Sequence, residues 1–281
     1  MRVYISVDME GIAGIATMDQ VVRGGHGYPR AQSLMTAETN AAIAGAFDAG
    51  ADEVVVSDSH GTMDNLLHDA LDERARLVFG TPRAQCMAHG LDGSHDVALF
   101  VGYHAAAGEP GVLSHSFSAF FTGFRVNGEI ASEAQVNALA AGVHGVPVGL
   151  VAGDDVICRL AETAFPGAVT VPVKTAEGWT AASSIHPARA RQALRAGAAA
   201  AVRRVQQLRP TPLPDSLVLE VDMQLTTAAE LAGLVPGAER IGARTVRREI
   251  ADPDELMGLV TVWYQIAAAA AGAQQALVRR V

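Results

Sequence analysis

Four short, mostly apolar runs constrain this 281-residue chain more than any other feature. They lie at 3–7 (VYISV), 54–57 (VVVS), 97–101 (VALFV) and 148–152 (VGLVA). None alternates apolar with polar residues, as a half-exposed strand would. Helical stretches fall between several of them, notably 34–49, which stops at Gly50, and 133–143. Continuous apolar strands separated by helices predict an α/β fold, a mainly parallel sheet with helices on both faces. The segment 117–130 differs, being interrupted by polar residues, and its Asn127-Gly128 pair predicts a hairpin turn.

Phe165-Pro166-Gly167 punctuates the chain and predicts a boundary there. Beyond it, 187–208 reads as a long alanine/arginine helix ended by Pro210, Pro212 and Pro214. The stretches 217–221 and 239–250 read as strands. The expected organisation is therefore an α/β domain over 1–165 and a smaller α+β domain over 166–251. A C-terminal helix over 252–281 would pack back on the first domain.

The formal net charge of −9, with no lysine/arginine block, argues against nucleic acid or an anionic membrane as partner. The most apolar late stretch, 259–273, is broken by Gln265 and Gly272 and fits a packed helix better than a membrane span. The N-terminus enters a strand directly, without a signal-peptide core, so the cytoplasm is the expected compartment. Cys86 and Cys158 form no CxxC pair and are expected to be reduced and buried.

In parallel α/β sheets, ligands bind beyond the carboxyl ends of the strands. Three such ends carry metal-binding residue types. Asp8 and Glu10 follow the first run, Asp58 and His60 the second, and His104 the third. Glu133, at the start of a predicted helix, adds a further carboxylate. Oxygen and imidazole donors without thiolates suit zinc, cobalt or manganese in a reactive centre rather than a purely structural zinc. Asp8, Glu10, His60, His104 and Glu133 exceed what one catalytic zinc takes, so two ions are expected, with Asp8 as the bridge. Such a pair, about 3.5–4 Å apart, lowers the pKa of a shared water and clamps a carbonyl oxygen. Asp58 is either a further ligand or a partner that orients His60. His115, on a strand-like segment, is either a proton donor beside the metals or a histidine packed in a sheet. Most of the remaining histidines are expected to face solvent.

These residues lie in motifs that resemble the D-aminopeptidase family of zinc metallopeptidases. The motifs are SVDMEG at 6–11, MTAETNAAIAGAFDAGADEVVVSDSHGTMDNL at 35–66 and LFVGYHA at 99–105. They continue with PGVLSHS at 110–116, NGEIASEAQVNALAAG at 127–142 and PVGLVAGDD at 147–155. The resemblance implies a di-zinc aminopeptidase acting on short peptides with an N-terminal D-amino acid. It puts the metal ligands at Asp8, Glu10, His60, His104 and Glu133, and the catalytic histidine at His115. It also implies a homo-oligomer, a decameric ring with an enclosed channel. Lys174 matches the family and is a candidate for binding the substrate. The chain departs from the pattern at Ser132, where a glycine is usual, and at Trp179, where an arginine is.

Two other readings compete. Asp8-Met9-Glu10-Gly11 and Gly153-Asp154-Asp155 echo a magnesium-dependent phosphatase of the haloacid dehalogenase type, with Asp8 as nucleophile. That reading leaves His60, His104 and His115 without work. Under the metallopeptidase reading, Asp154 or Asp155 caps a helix instead. A metal-dependent peptide-binding protein without turnover is the non-enzymatic alternative.

Overall fold

The computed structural model describes residues 1–278. In chain order its elements begin β1 (Arg2–Val7), α1 (Met18–Val21), α2 (Tyr28–Asp48), β2 (Glu53–Asp58), β3 (Ala75–Val78) and β4 (Val97–Tyr103). Next come β5 (Phe121–Val126), β6 (Glu129–Ile130), α3 (Glu133–Val143), β7 (Val148–Asp154), α4 (Asp155–Ala164), β8 (Val169–Gly178) and β9 (Ala181–Ser184). The chain continues with α5 (Pro187–Arg203), β10 (Leu217–Met223), α6 (Thr226–Ala232), β11 (Ala238–Arg240), β12 (Thr245–Ile250) and α7 (Glu255–Val278).

The four apolar runs become β1, β2, β4 and β7, neighbours in a seven-stranded sheet of order β3-β2-β1-β4-β7-β8-β9. All its pairings are parallel except that of the edge strand β9. Side chains alternate between two buried faces. Val3, Ile5, Val54, Val56, Leu99 and Leu150 pack with buried residues of α2 and α5. Tyr4, Val55, Phe100 and Val151 pack with residues of α3, α4 and α7. The predicted α/β class, with helices on both faces, is the observed one.

The second sheet has five strands in the order β11-β12-β10-β5-β6. Its topology departs from the division expected near residue 165. β8, β9 and α5 lie beyond that point yet belong with the first sheet, because β8 continues the parallel ladder beside β7. β5 and β6 lie before it yet join the second sheet. Their hairpin turns at Asn127 and Gly128, both at positive φ (52° and 84°), as a tight two-residue turn requires. The stretch 239–250 is two strands rather than one, with Gly242 between them.

α2 begins at Tyr28, earlier than predicted, with Pro29 in its first turn, where a missing N–H costs nothing. The C-terminal helix packs back through Trp263, Val260 and Leu256, which are buried in the shared core. Its predicted last residues, 279–281, lie outside the described residues. By length and composition this helix could cross a membrane over Glu255–Ala276, but half of its most apolar window is buried within the protein.

Candidate metal centre

The connections β1→β2→β3 run one way along the sheet and β4→β7→β8 the other, so β1 and β4 flank the point where the strand order reverses. Crevices form at the carboxyl ends of such strands. Two glycines let the backbones meet there. A Cβ on Gly11 would fall 2.1 Å from the Tyr103 carbonyl oxygen, and one on Gly102 (φ +76°) 2.1 Å from that of Asp8. The Gly11 N–H donates to the Gly102 carbonyl (2.7 Å), which draws the loop carrying Asp8 and Glu10 against the one carrying His104.

The five expected ligands converge on this edge, all of them buried. Asp8 stands at the centre with its two oxygens turned to different imidazoles. Oδ1 lies 3.2 Å from His60 Nδ1, which is also 2.9 Å from Glu10 Oε2. Oδ2 lies 3.2 Å from His104 Nε2, which is also 3.4 Å from Glu133 Oε2. Both rings are held by their far nitrogens. His60 Nε2 donates to the Val21 carbonyl (2.8 Å) and His104 Nδ1 to that of Ala105 (2.9 Å). This fixes the tautomers so that Nδ1 of His60 and Nε2 of His104 present lone pairs to the centre.

His104 Nε2 is buried without a hydrogen-bond partner. An orphaned imidazole nitrogen among three carboxylates is a donor set that fits a divalent cation. Two overlapping sets of donors, Asp8–Glu10–His104 and His104–His115–Glu133, each lie within 4.8 Å of one another.

Without a cation, the imidazoles carry the compensating charge. Burial works against a charge on His60, but Glu10 and Asp8 outweigh it and raise its pKa well above the usual 6.5. Burial opposes a charge on His104 too, and Glu133 and Asp8 raise its pKa in the same way. Burial would push Asp8 up, yet His104 and His60 hold it down at about 2.

Local sequence explains the remaining placements. Glu133 opens α3 behind a capping box in which Ser132 Oγ accepts from the Gln135 N–H (3.3 Å) and the Ser132 N–H donates to Gln135 Oε1 (2.9 Å). Ser132 thus acts as the helix cap. Asp154 caps α4 through Oδ1, and its Oδ2 accepts from the Val112 N–H (2.8 Å), anchoring the segment that carries His115. Backbone N–H groups thus occupy both oxygens of the carboxylate that a phosphatase reading would give to magnesium.

His115 lies in an irregular segment rather than a strand. Its ring stacks on His104 with centroids 4.3 Å apart, Nδ1 donates to the Leu113 carbonyl (2.9 Å), and Nε2 is 3.9 Å from Glu133 Oε1. Asp58 does not reach the His60 ring. It accepts from the backbone N–H groups of Asn65 (2.6 Å) and Leu66 (2.7 Å) and so shapes the loop carrying His60. Lys174 also lies elsewhere than its candidate role required. It is buried and donates to the carbonyls of Glu10, Ile12 (2.9 Å) and Ile15 (2.6 Å), behind the centre rather than in the open cavity.

A cavity of about 680 Å³ opens on the centre and includes Glu10, His60 and His115 in its lining. Sequence reasoning missed several of its parts. Tyr28 donates to Asn65 Oδ1 (2.6 Å), and Asn65 donates in turn to Asp58 Oδ1 (2.8 Å). Buried Arg83 donates to the Asp58 carbonyl (2.7 Å) and Ser57 Oγ (3.1 Å), bracing the same loop. Contacts of this kind, between residues distant in sequence, leave no local pattern. Of the histidines expected at the surface, His95 is buried, edge-on to Tyr4.

Comparison with known proteins identifies relatives of the whole chain. The family model for D-aminopeptidases matches residues 1–262. A D-aminopeptidase of Bacillus subtilis (strain 168) is 38% identical over 268 residues, 95% of this chain and 98% of that protein. Among solved structures, the chain resembles the Zn-dependent D-aminopeptidase DppA from Bacillus subtilis, described as a self-compartmentalizing protease. The TM-score is 0.91 at 37% identity, over 95% of this chain and 98% of that one.

Proposed function

This chain belongs to the D-aminopeptidase family and is a peptidase; we propose that it releases N-terminal D-amino acids from short peptides, using two zinc ions held by Asp8, Glu10, His60, His104 and Glu133. The observation that carries this reading is Asp8, whose two oxygens face separate imidazoles, each with its own second carboxylate. Zinc and D-specificity rest on the relatives' descriptions, and cobalt or manganese suits the same donors.

When bound, the ions supply Lewis acidity toward the scissile carbonyl and lower the pKa of water. The chain's own residues do the rest. The Val21 and Ala105 carbonyls keep the two imidazoles in their ligating tautomers. His115, tethered through Nδ1, presents the Nε2 lone pair at the cavity, where it would take a proton from the attacking water and pass it to the leaving amine.

A homo-oligomer, a decameric ring enclosing a channel, is part of the proposal, supported by the self-compartmentalizing description of the structural relative. Cytoplasmic residence accords with two free, buried cysteines.

The test is metal content per chain with turnover on D- and L-alanyl p-nitroanilide, in wild type and His104→Ala. About two ions per wild-type chain, fewer in the variant, and faster cleavage of the D substrate are expected. Stoichiometric peptide binding without turnover in metal-replete protein would favour the binding-protein reading. A mass near ten times the 29.2 kDa chain is expected from light scattering.

A further inference from the structure

The cavity beside the metal centre has a character that peptide hydrolysis alone does not require. Met18, Val21 and Val22, on and just after α1, contribute one part of its lining. Leu113, Phe121 and Trp179 contribute another, from the segment around His115, the start of β5 and the tip of the β8–β9 hairpin. Met18, Val22 and Trp179 are 41%, 48% and 52% exposed, so the chain leaves large apolar surface in water at this concavity. Exposed apolar side chains scattered singly are unremarkable, but several converging on a cleft beside reactive groups mark a binding site.

Val21 ties this lining to the chemistry. Its carbonyl accepts from His60 Nε2 while its side chain lines the cavity, so a group seated there lies one residue from a metal-ligating ring. Charge in the cavity is already committed. Arg23, the only lysine or arginine in the lining among the described residues, is paired with Asp64 (2.6 Å) and lies over the Tyr28 ring. Glu10, the only acid in the lining among the described residues, faces His60 (2.9 Å). A charged substrate side chain entering here would lose water and meet an arginine and a carboxylate that are already paired.

We infer that this cavity is a subsite for a bulky apolar side chain on the N-terminal residue of the substrate, of leucine or phenylalanine size. The inference rests on the peptidase reading above and adds a substrate class to it. Its volume, about 680 Å³, exceeds what an alanyl side chain fills, so larger apolar groups gain contacts there that alanine cannot make.

The experiment compares kcat/KM of the metal-loaded, full-length protein on alanyl, leucyl, phenylalanyl, lysyl and aspartyl p-nitroanilides of both hands. The leucyl and phenylalanyl substrates should exceed the alanyl one by about tenfold or more, with the lysyl and aspartyl ones below it. Val22→Asp and Met18→Ser, at half-exposed positions that a polar group tolerates, should lower the leucyl-to-alanyl ratio by about tenfold. Alanyl turnover equal to or above leucyl and phenylalanyl, or a ratio unmoved by both variants, overturns the subsite and leaves the peptidase reading standing. Metal-replete protein that turns over none of these substrates, of either hand, overturns the peptidase reading and the subsite with it.

Discussion

Lys174 and Glu38 work behind the metal centre, on the loop that presents Asp8 and Glu10. The Lys174 ammonium satisfies three carbonyls of that loop, and burial lowers its pKa to about 8. Glu38, buried in α2, accepts from the Ala13 N–H of the same loop (3.0 Å), and burial raises its carboxyl to about 7. Lys174→Met strands buried acceptors at about 1–3 kcal/mol each, so a lower Tm and weaker metal binding are expected. Thermal denaturation and metal titration check this. An unchanged metal affinity with a raised KM would instead put Lys174 in contact with substrate. His115 has a different test, because its ring lies within ligating range of His104 and Glu133. If it is the acid, His115→Ala keeps two ions per chain and loses about 10²–10⁴ in turnover. Loss of an ion in that variant would make His115 a ligand.

At the scale of elements, the centre depends on two loops that touch through backbone rather than side chains. Gly102→Ala puts a methyl group onto the Asp8 carbonyl at a positive φ, so one loop must withdraw. Metal affinity at equilibrium should fall by at least tenfold, although no ligand has been changed, while the far-UV circular dichroism stays native. Wild-type affinity in Gly102→Ala would mean that the close approach is not needed. Such dependence also explains what the sequence made legible. The strands were readable because their side chains are buried on both faces, which leaves an uninterrupted apolar run. The convergence of the candidate ligands was readable because each follows one of those runs or opens a helix. The direction of Lys174 was not readable, because strand position does not reveal whether a long side chain points outward or back beneath a neighbouring loop. The split near residue 165 failed for a related reason. Phe165-Pro166-Gly167 ends a helix, and the parallel ladder resumes directly after it in β8. Sheet membership of β5, and of β6 through it, is set by the pairing of β5 with β10, about a hundred residues away, which no local pattern encodes.

For the whole molecule, the buried charges make stability depend on pH in opposite ways with and without metal. In the metal-free protein His60 and His104 have pKa values raised above 6.5. The folded state then holds protons that the unfolded chain releases, so their contribution is complete below 6.5 and is lost as pH rises through the raised values. Glu38 acts with the same sign: its contribution is complete below 4.5 and is lost as pH rises through about 7, a change of roughly 3 kcal/mol. Lys174 has the opposite sign, and stability is recovered only as pH climbs from about 8 toward 10.5. Asp8 matters only in acid, where its contribution, present above 3.8, is lost as pH falls through about 2. Metal-free protein should therefore lose stability as pH rises above 6.5. Bound cations take the place of the imidazole protons, so metal binding releases protons and strengthens as pH rises through the same interval. The Tm difference between metal-loaded and metal-free protein should widen from pH 6 to pH 8. Calorimetry at pH 7 in two buffers of different ionisation enthalpy should count roughly two protons released per chain. A Tm difference that is constant over this range, with no proton release, would mean that the cations bind without displacing protons from His60 and His104, and the assignment of those rings as ligands would fall with it.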